Sequence, residues 1–402
     1  MTPKQAIPPS ITGLEGAPAE SVLEHAFGTG EPYTLGVEEE YQLLDSTTFD
    51  LVQHIDTILA AVSGHELEEQ INAELMQSVL EIATPVCRTA GDVMAALTTL
   101  RAYVTEVAQD KGLRVGSAGT HPFSLFELQR ITAKDRYRAL IDQLQYVARR
   151  ELIFGMHVHV AVDDPEKAIQ VVNGLLPHLS PLLALSASSP FWRGEATGLS
   201  SSRQMVFSAF PRSGPPPRFR DYADYAEVVG RLERSGCIAD YTHIWWDIRL
   251  HPRLGTVEVR ICDAVSRIED AVAIAAYCQA LVKQLSERYD AGEEIPSYHR
   301  ILTSENKWLA ARYGLHAPVM DLATGRRNRV PVSRLIRRTV SELAPHAREL
   351  GSERELEGVL ELVSRGNGAD RQLRVYNANR DIVEVAREIA ETTEVETAPA
   401  GA

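Results

Sequence analysis

From residue 155 the chain reads GMHVHV, with polar and apolar positions in strict alternation. Successive side chains of an extended strand take opposite faces, so His157 and His159 share one face while Met156, Val158 and Val160 share the other. The pattern recurs in GVEEEYQLL, where Glu38, Glu40 and Gln42 oppose Val37, Tyr41 and Leu43, and Glu39 is the odd acid on the apolar side. In TVEVRIC, Thr256, Glu258 and Arg260 oppose Val257, Val259 and Ile261. Three distant segments therefore share one division of labour: a packed face and a face carrying carboxylates, imidazoles and a guanidinium.

Periodicity predicts strands over 34–44, 113–121 and 152–162, and a hairpin-like pair over 242–250 and 255–263. It predicts helices over 50–63, 66–83, 90–110, 135–150, 164–176, 178–188, 221–235 and 267–288, with helices dominating afterwards. On the 66–83 helix, Leu75, Val79 and Ile82 form an apolar stripe and Glu74, Ser78 and Glu81 a polar one, with Glu81 just before the stop at Pro85. The proline-rich FPRSGPPPRF (210–219) is a loop of the kind that can cover a site. Helices placed irregularly between strands predict an α+β domain with a mainly antiparallel sheet, a doubly wound sheet being the alternative. Residues 1–30 and 391–402, without periodicity, read as flexible tails around one catalytic domain at 31–390.

Composition narrows the function. Of 402 residues, 44% are hydrophobic and 24% charged, an ordinary globular balance, and the net charge of −14 argues against a nucleic-acid or anionic-membrane binder. Cys87, Cys237, Cys262 and Cys278 form no CxxC pair, which disfavours a zinc ribbon or disulfide framework. No basic leader and no apolar run of about 20 residues is apparent, so the expectation is a cytoplasmic protein acting on small molecules, with no membrane partner. Neither GxGxxG nor GxxxxGK[ST] occurs, so any nucleotide is held in another way.

If the polar faces converge, Glu38, Glu40, Glu81 and Glu258 meet with two histidines. Two carboxylates about 6 Å apart repel by roughly 3 kcal/mol at an effective dielectric near 20, and one arginine does not neutralise four. A resident cation resolves this, and mostly oxygen ligands select Mg²⁺ or Mn²⁺, which points to phosphoryl chemistry. Pattern alone leaves open that these acids are solvated faces of an edge sheet. A metal-dependent amidohydrolase and a non-catalytic nucleotide- or amino-acid-binding protein are further alternatives.

GVEEEYQLL, ELMQSVLEIATPVC, GTHPF, GMHVHV, SASSPFWRG with TGLSSSR, and WWDIRLHPRLGTVEVRICD, in this order from about residue 33 to 385, resemble the YbdK-like carboxylate-amine ligases of the bacterial glutamate-cysteine ligase type 2 family. The resemblance implies a glutamine synthetase-like fold, in which an antiparallel sheet forms a funnel for ATP and Mg²⁺ with helices outside. It implies an ATP-dependent ligase that makes an amide through an acyl phosphate. The substrates implied are a carboxylic acid, typically glutamate through its γ-carboxylate, and an amine, with weak glutamate-cysteine ligase activity and a homodimeric state. Carried over by position, Glu38, Glu40, Glu81, His157 and Glu258 become metal ligands, and His159 faces the γ-phosphate or a metal-bound water. Arg260 stabilises the transferring phosphoryl group, and Arg203 and Arg249 bind the substrate carboxylate or phosphates. The chain departs from the family pattern at Ala196, at Ser200–Ser202 and at Leu250.

His121, Trp245, Trp246 and Cys262 read more simply as structural: a strand-end hydrogen bonder, packed aromatics and a buried thiol. Arg371 reads as part of a solvated helix face.

Overall fold

The alternating segment at 35–45 becomes the centre of a sheet because both of its edges find partners. A computed structural model of the protein describes residues 23–296, 298–324 and 328–395. The sheet contains β1 (Leu35–Asp45), β2 (Ile71–Ala73), β3 (Val79–Ala83), β4 (Leu113–Gly116), β5 (Met156–Ala161), β6 (Ile248–His251) and β7 (Thr256–Val259). The strand order is β6-β7-β5-β1-β3-β2, with β4 continuing beside β1, and every pairing is antiparallel. The expected α+β architecture is therefore present.

The apolar face carries Val37, Tyr41, Leu43, Val158, Val160, Val257 and Val259, all in the main core. Against it lie α1 (Ala90–Asp110) and α3 (Ile268–Asp290), and α3 is buried along most of its length. Helix α1 starts at a capping box: Asp92 N–H donates to Thr89 Oγ1 at 3.0 Å, and Thr89 N–H donates to Asp92 at 2.9 Å. Glu39, the one acid on this face, is fully buried and receives Arg101 of α1 through two bonds of 3.0 and 2.5 Å, with Tyr41 Oη donating to it as well. Arg101 also donates to the carbonyls of Val265 and Ser266, which fastens helix, sheet and chain crossing together.

Several expectations are corrected. Residues 66–83 are not a helix but a short turn followed by the hairpin β2–β3. Leu75, Val79 and Ile82 mimic helical spacing, yet Leu80 and Ile82 enter the core and Glu81 opposes them, which is period two. Pairing with β1 overrides the helix propensity of Glu, Leu, Met and Gln. Residues 23–30, expected as tail, pack down: Phe27 is buried and Ala26 N–H donates to Pro252 O at 2.9 Å. At the other end α4 (Ile382–Thr393) extends into the supposed tail, and Thr393 Oγ1 accepts from Ser117 N–H at 2.9 Å. The remaining tail residues, 1–22 and 396–402, lie outside the described ones. A helical run, Pro165–Ser186, is long and apolar enough to cross a membrane, but 78% of its most apolar stretch is buried within the protein, as befits a core helix. Arg371 is not on a solvated face, being half-buried and paired with Glu388 at 2.6 Å.

Candidate active site

The polar face of the sheet forms one side of a cavity of about 590 Å³ lined by Glu38, Glu40, Glu74, Glu81, His157, Arg203 and Arg260, and faced by Phe207, Phe210 and Trp245. This volume suits a drug-sized ligand. Register assembles it: β1 and β3 set Glu40 opposite Glu81, β1 and β5 set Glu38 opposite His157, and β5 and β7 set His159 opposite Glu258. Glu81 thus reaches the expected site from a strand rather than from a helix end.

Two electrostatic environments adjoin. Around Glu40, Glu74 and Glu81 burial is the main cause that raises all three carboxyls, Glu40 to about 7, and Glu74 adds repulsion on both Glu40 and Glu81. Around Glu258 burial is opposed and outweighed by Arg249, Arg260 and His159, which hold its carboxyl well below the usual range. Burial of Glu38 is likewise outweighed by the adjacent imidazoles of His157 and His159, and its carboxyl is lowered. Burial opposes charge on His159, but Glu258 and Glu38 outweigh it and raise the imidazole. His157, desolvated and close to Arg260, is lowered to about 4.

The three arginines differ in what they have left to offer. Arg249 gives Nε and Nη2 to Glu258 at 2.8 and 3.1 Å, and Nη1 to the carbonyls of Thr242 and Ile244 at 2.9 and 3.1 Å. These bonds tie it to Glu258 and to the backbone, and Arg249 also lines the cavity. Arg260 donates to Glu258 through Nη1 and lines the cavity, its buried Nε without a partner. Arg203 is 3% exposed and is held loosely, by long bonds to Ile261 O at 3.3 Å and Arg260 O at 3.5 Å and by Asp263 Oδ1 at 3.9 Å, and its Nε is also without a hydrogen-bond partner. Its guanidinium lies over Gly155, where a Cβ would run into Nη2 and stand 3.2 Å from His157 Nε2.

Helix α2 (Ser202–Phe207) presents Arg203, and Asp263 fixes that helix's approach. The Asp263 carboxylate accepts from Ser188 N–H at 3.0 Å, Ser189 Oγ at 2.7 Å and Ser201 Oγ at 2.8 Å, while Ser201 also caps α2. The serines of SASSP and SSSR therefore serve as backbone fasteners.

Sequence reading missed Glu74, Glu151, Tyr137, Asp240 and His251, all of which line the cavity. Burial pushes the Glu151 carboxyl up to about 8. Its position was recoverable, since 151, 153, 155, 157 and 159 share one parity. The structural readings of His121 and Cys262 hold. His121 Nε2 donates to Phe49 O at 2.9 Å, and burial pushes the Cys262 thiol up to about 12. Trp246 is core, whereas Trp245 faces the cavity with Arg212 5.2 Å from its ring centroid.

The donor set accommodates divalent cations. His159 Nδ1 lies 3.0 Å from Thr256 Oγ1, while the buried Nε2 has no hydrogen-bond partner and faces Glu38 Oε1 at 3.3 Å. A cluster of acids with an orphaned imidazole nitrogen suits a cation better than it suits bare burial.

Comparison with known proteins places the chain in a family. The model of glutamate-cysteine ligase family 2 matches residues 34–392. "Putative glutamate--cysteine ligase 2-1" of Rubrobacter xylanophilus is 45% identical over 361 residues, covering 90% of this chain and 95% of that protein. A protein of Solibacter usitatus with the corresponding name, "ligase 2", is 40% identical and covers 90% and 93%. Among solved structures, a glutamate–cysteine ligase of Francisella tularensis in complex with AMP has a TM-score of 0.63 at 13% identity, covering 92% of this chain and 91% of that one. A bifunctional glutathione synthetase of Pasteurella multocida has a TM-score of 0.67 at 15% identity, and the match covers 90% of this chain but 52% of that longer one. These two establish likeness of fold. By the extent of the family match and the identity to its relatives, the chain belongs to glutamate-cysteine ligase family 2 and is an ATP-dependent ligase of the carbon–nitrogen bond-forming class.

Proposed function

We propose that the protein joins the γ-carboxylate of glutamate, or a close analogue, to an amine through an acyl phosphate, using ATP with Mg²⁺ or Mn²⁺, as a cytosolic homodimer. The observation that carries the reading is the convergence of Glu38, Glu40, Glu81, His157 and Arg260 on one wall of a cavity large enough for a nucleotide, with His159 and Glu258 brought beside them by the strand registers. The homodimer rests on family resemblance alone.

A carboxylate is a poor acyl donor until one oxygen becomes a good leaving group, and phosphorylation supplies one. Glu38, Glu40, Glu81, Glu258 and the imidazoles would hold the cations that screen the approach of two anions. Arg260, with donors toward the cavity, would stabilise charge on the transferring phosphoryl group, and Arg203, short of partners, would bind an anionic group of substrate. Arg249 would keep Glu258 ionised and oriented. The aromatic wall of Phe207, Phe210 and Trp245 supplies an apolar surface for the remainder of a ligand.

The test is a phosphate-release screen over acids and amines with ATP and Mg²⁺, preceded by calorimetric titration of Mg-ATP. Release should require both an acid and an amine, and Glu258→Gln should abolish it while lowering the melting temperature, because Arg249 and Arg260 lose their carboxylate partner. Absence of Mg-ATP binding rejects the reading. Release without an amine would redirect it toward hydrolysis.

A further inference from the structure

We propose that Glu151 receives the amine substrate, which binds as a primary ammonium with its hydrocarbon part on Ile153, Phe207 and Phe210. The proposal rests on the ligase reading above and names the residue that would select the amine. Glu151 follows the short helix Tyr146–Arg149 and donates its N–H to Ala148 O at 3.1 Å. From there the chain runs into β5, and Glu151, Ile153 and His157 all line the cavity. Glu151 Oε2 is buried and has no hydrogen-bond partner among the described residues. Two guanidiniums are near, yet neither pairs with it within 4.0 Å: Arg203 has Asp263 Oδ1 at 3.9 Å, and Arg150 donates Nη2 to Val206 O at 3.2 Å.

Native proteins rarely leave a buried carboxyl oxygen without a partner unless something else occupies the place. Burial is the main cause that pushes this carboxyl up to about 8, with repulsion from Glu40 and against the pull of Arg203 and Arg150. An ammonium would supply both the charge and the N–H donors that are missing, in charge-assisted hydrogen bonds. The walls select the kind of cation. Ile153, Phe207 and Phe210 belong to one apolar cluster and line the same cavity as Glu151. A divalent ion would meet hydrocarbon there where it needs oxygens. An ammonium on an apolar body satisfies the carboxyl at one end and the three side chains at the other.

Two nucleophiles of different charge test this with the full-length protein, glutamate, ATP and Mg²⁺. n-Butylamine is protonated at neutral pH, and hydroxylamine is mainly uncharged there. Glu151→Gln should raise KM for n-butylamine about 10-fold or more and leave KM for hydroxylamine and for ATP nearly unchanged. The variant should melt no lower than wild type, since Oε2 has no partner to lose. Glu151→Asp, which keeps the charge on a shorter arm, should show a smaller loss confined to n-butylamine, and it decides the matter should Glu151→Gln fail to fold. In calorimetric titration without ATP, n-butylammonium should bind wild type and bind Glu151→Gln about 10-fold or more weakly. An equal loss with both nucleophiles, no loss with n-butylamine, or a wild type that makes the hydroxamate but neither uses nor binds n-butylamine overturns the assignment. Failure of the ligase reading would look different: n-butylammonium bound in a manner that depends on Glu151, with no ATP-dependent product from either nucleophile. Absence of both binding and product overturns both.

Discussion

Glu40 and Glu81 stand directly opposite one another in the register of β1 and β3, on the face that lines the cavity. Burial raises both carboxyls, Glu74 adds repulsion to each, and Glu40 adds to the cost of ionising Glu81. A carboxyl raised in the folded state binds more protons there than in the unfolded chain, so folding stability falls as pH rises from the ordinary carboxylate range through about 7, the value for Glu40. Metal-free protein should therefore lose a few degrees of melting temperature between pH 5 and 7.5, and millimolar Mg²⁺ or Mn²⁺ should restore them. Calorimetric melts across that range check this; a flat profile in the absence of metal would contradict the cluster.

Gly155→Ala places a methyl group against Arg203 Nη2 and close to His157. The guanidinium must move, and displacement by about 1 Å can cost roughly 100-fold in rate. ATP-dependent phosphate release should drop by 10- to 100-fold while the far-ultraviolet circular dichroism spectrum is retained. Full activity would mean that Arg203 has no part in the reaction.

The Glu39–Arg101 pair concerns stability rather than chemistry. Both side chains are buried, and Glu39→Gln leaves a guanidinium facing a neutral partner. Removing one member of such a pair costs about 3–5 kcal/mol. Urea denaturation should register that loss, and a change under about 1 kcal/mol would show that Arg101 is held by its carbonyl partners alone.

Thiol reactivity gives an inexpensive check on the fold. Cys237 is exposed, whereas Cys87, Cys262 and Cys278 are buried with thiols raised by burial. A thiol-titrating reagent should label one cysteine quickly and three only on unfolding.

Much of the site was legible because strand parity is a local property. Alternation alone puts His157 with His159, Glu38 with Glu40, and Glu258 with Arg260 on the polar faces of their strands, and the registers bring those faces together. Glu81 reaches the cavity from a strand although its spacing predicts a helix, since spacings of three and four also fit the hairpin's mixed burial. What parity does not reveal is which distant group answers a charge. Arg101 is 62 residues from Glu39 and sits on a helix whose pattern shows only that it is amphipathic. Arg249 looked free until Glu258 appeared across the hairpin, in direct register with it. That hairpin turns at Gly255, whose φ of +66° and close approach to Ala26 O exclude a side chain.

The order of strands in the sheet also bears on how the enzyme is made. β5 lies between β1, translated long before it, and β7, translated long after, so a nascent chain halted ahead of β7 leaves one side of β5 without its backbone partner. Glu258, Arg260 and the grip of Arg249 arrive only with that last strand pair. The full cluster of carboxylates, imidazoles and guanidinium groups is therefore complete only when nearly two-thirds of the polypeptide has been made.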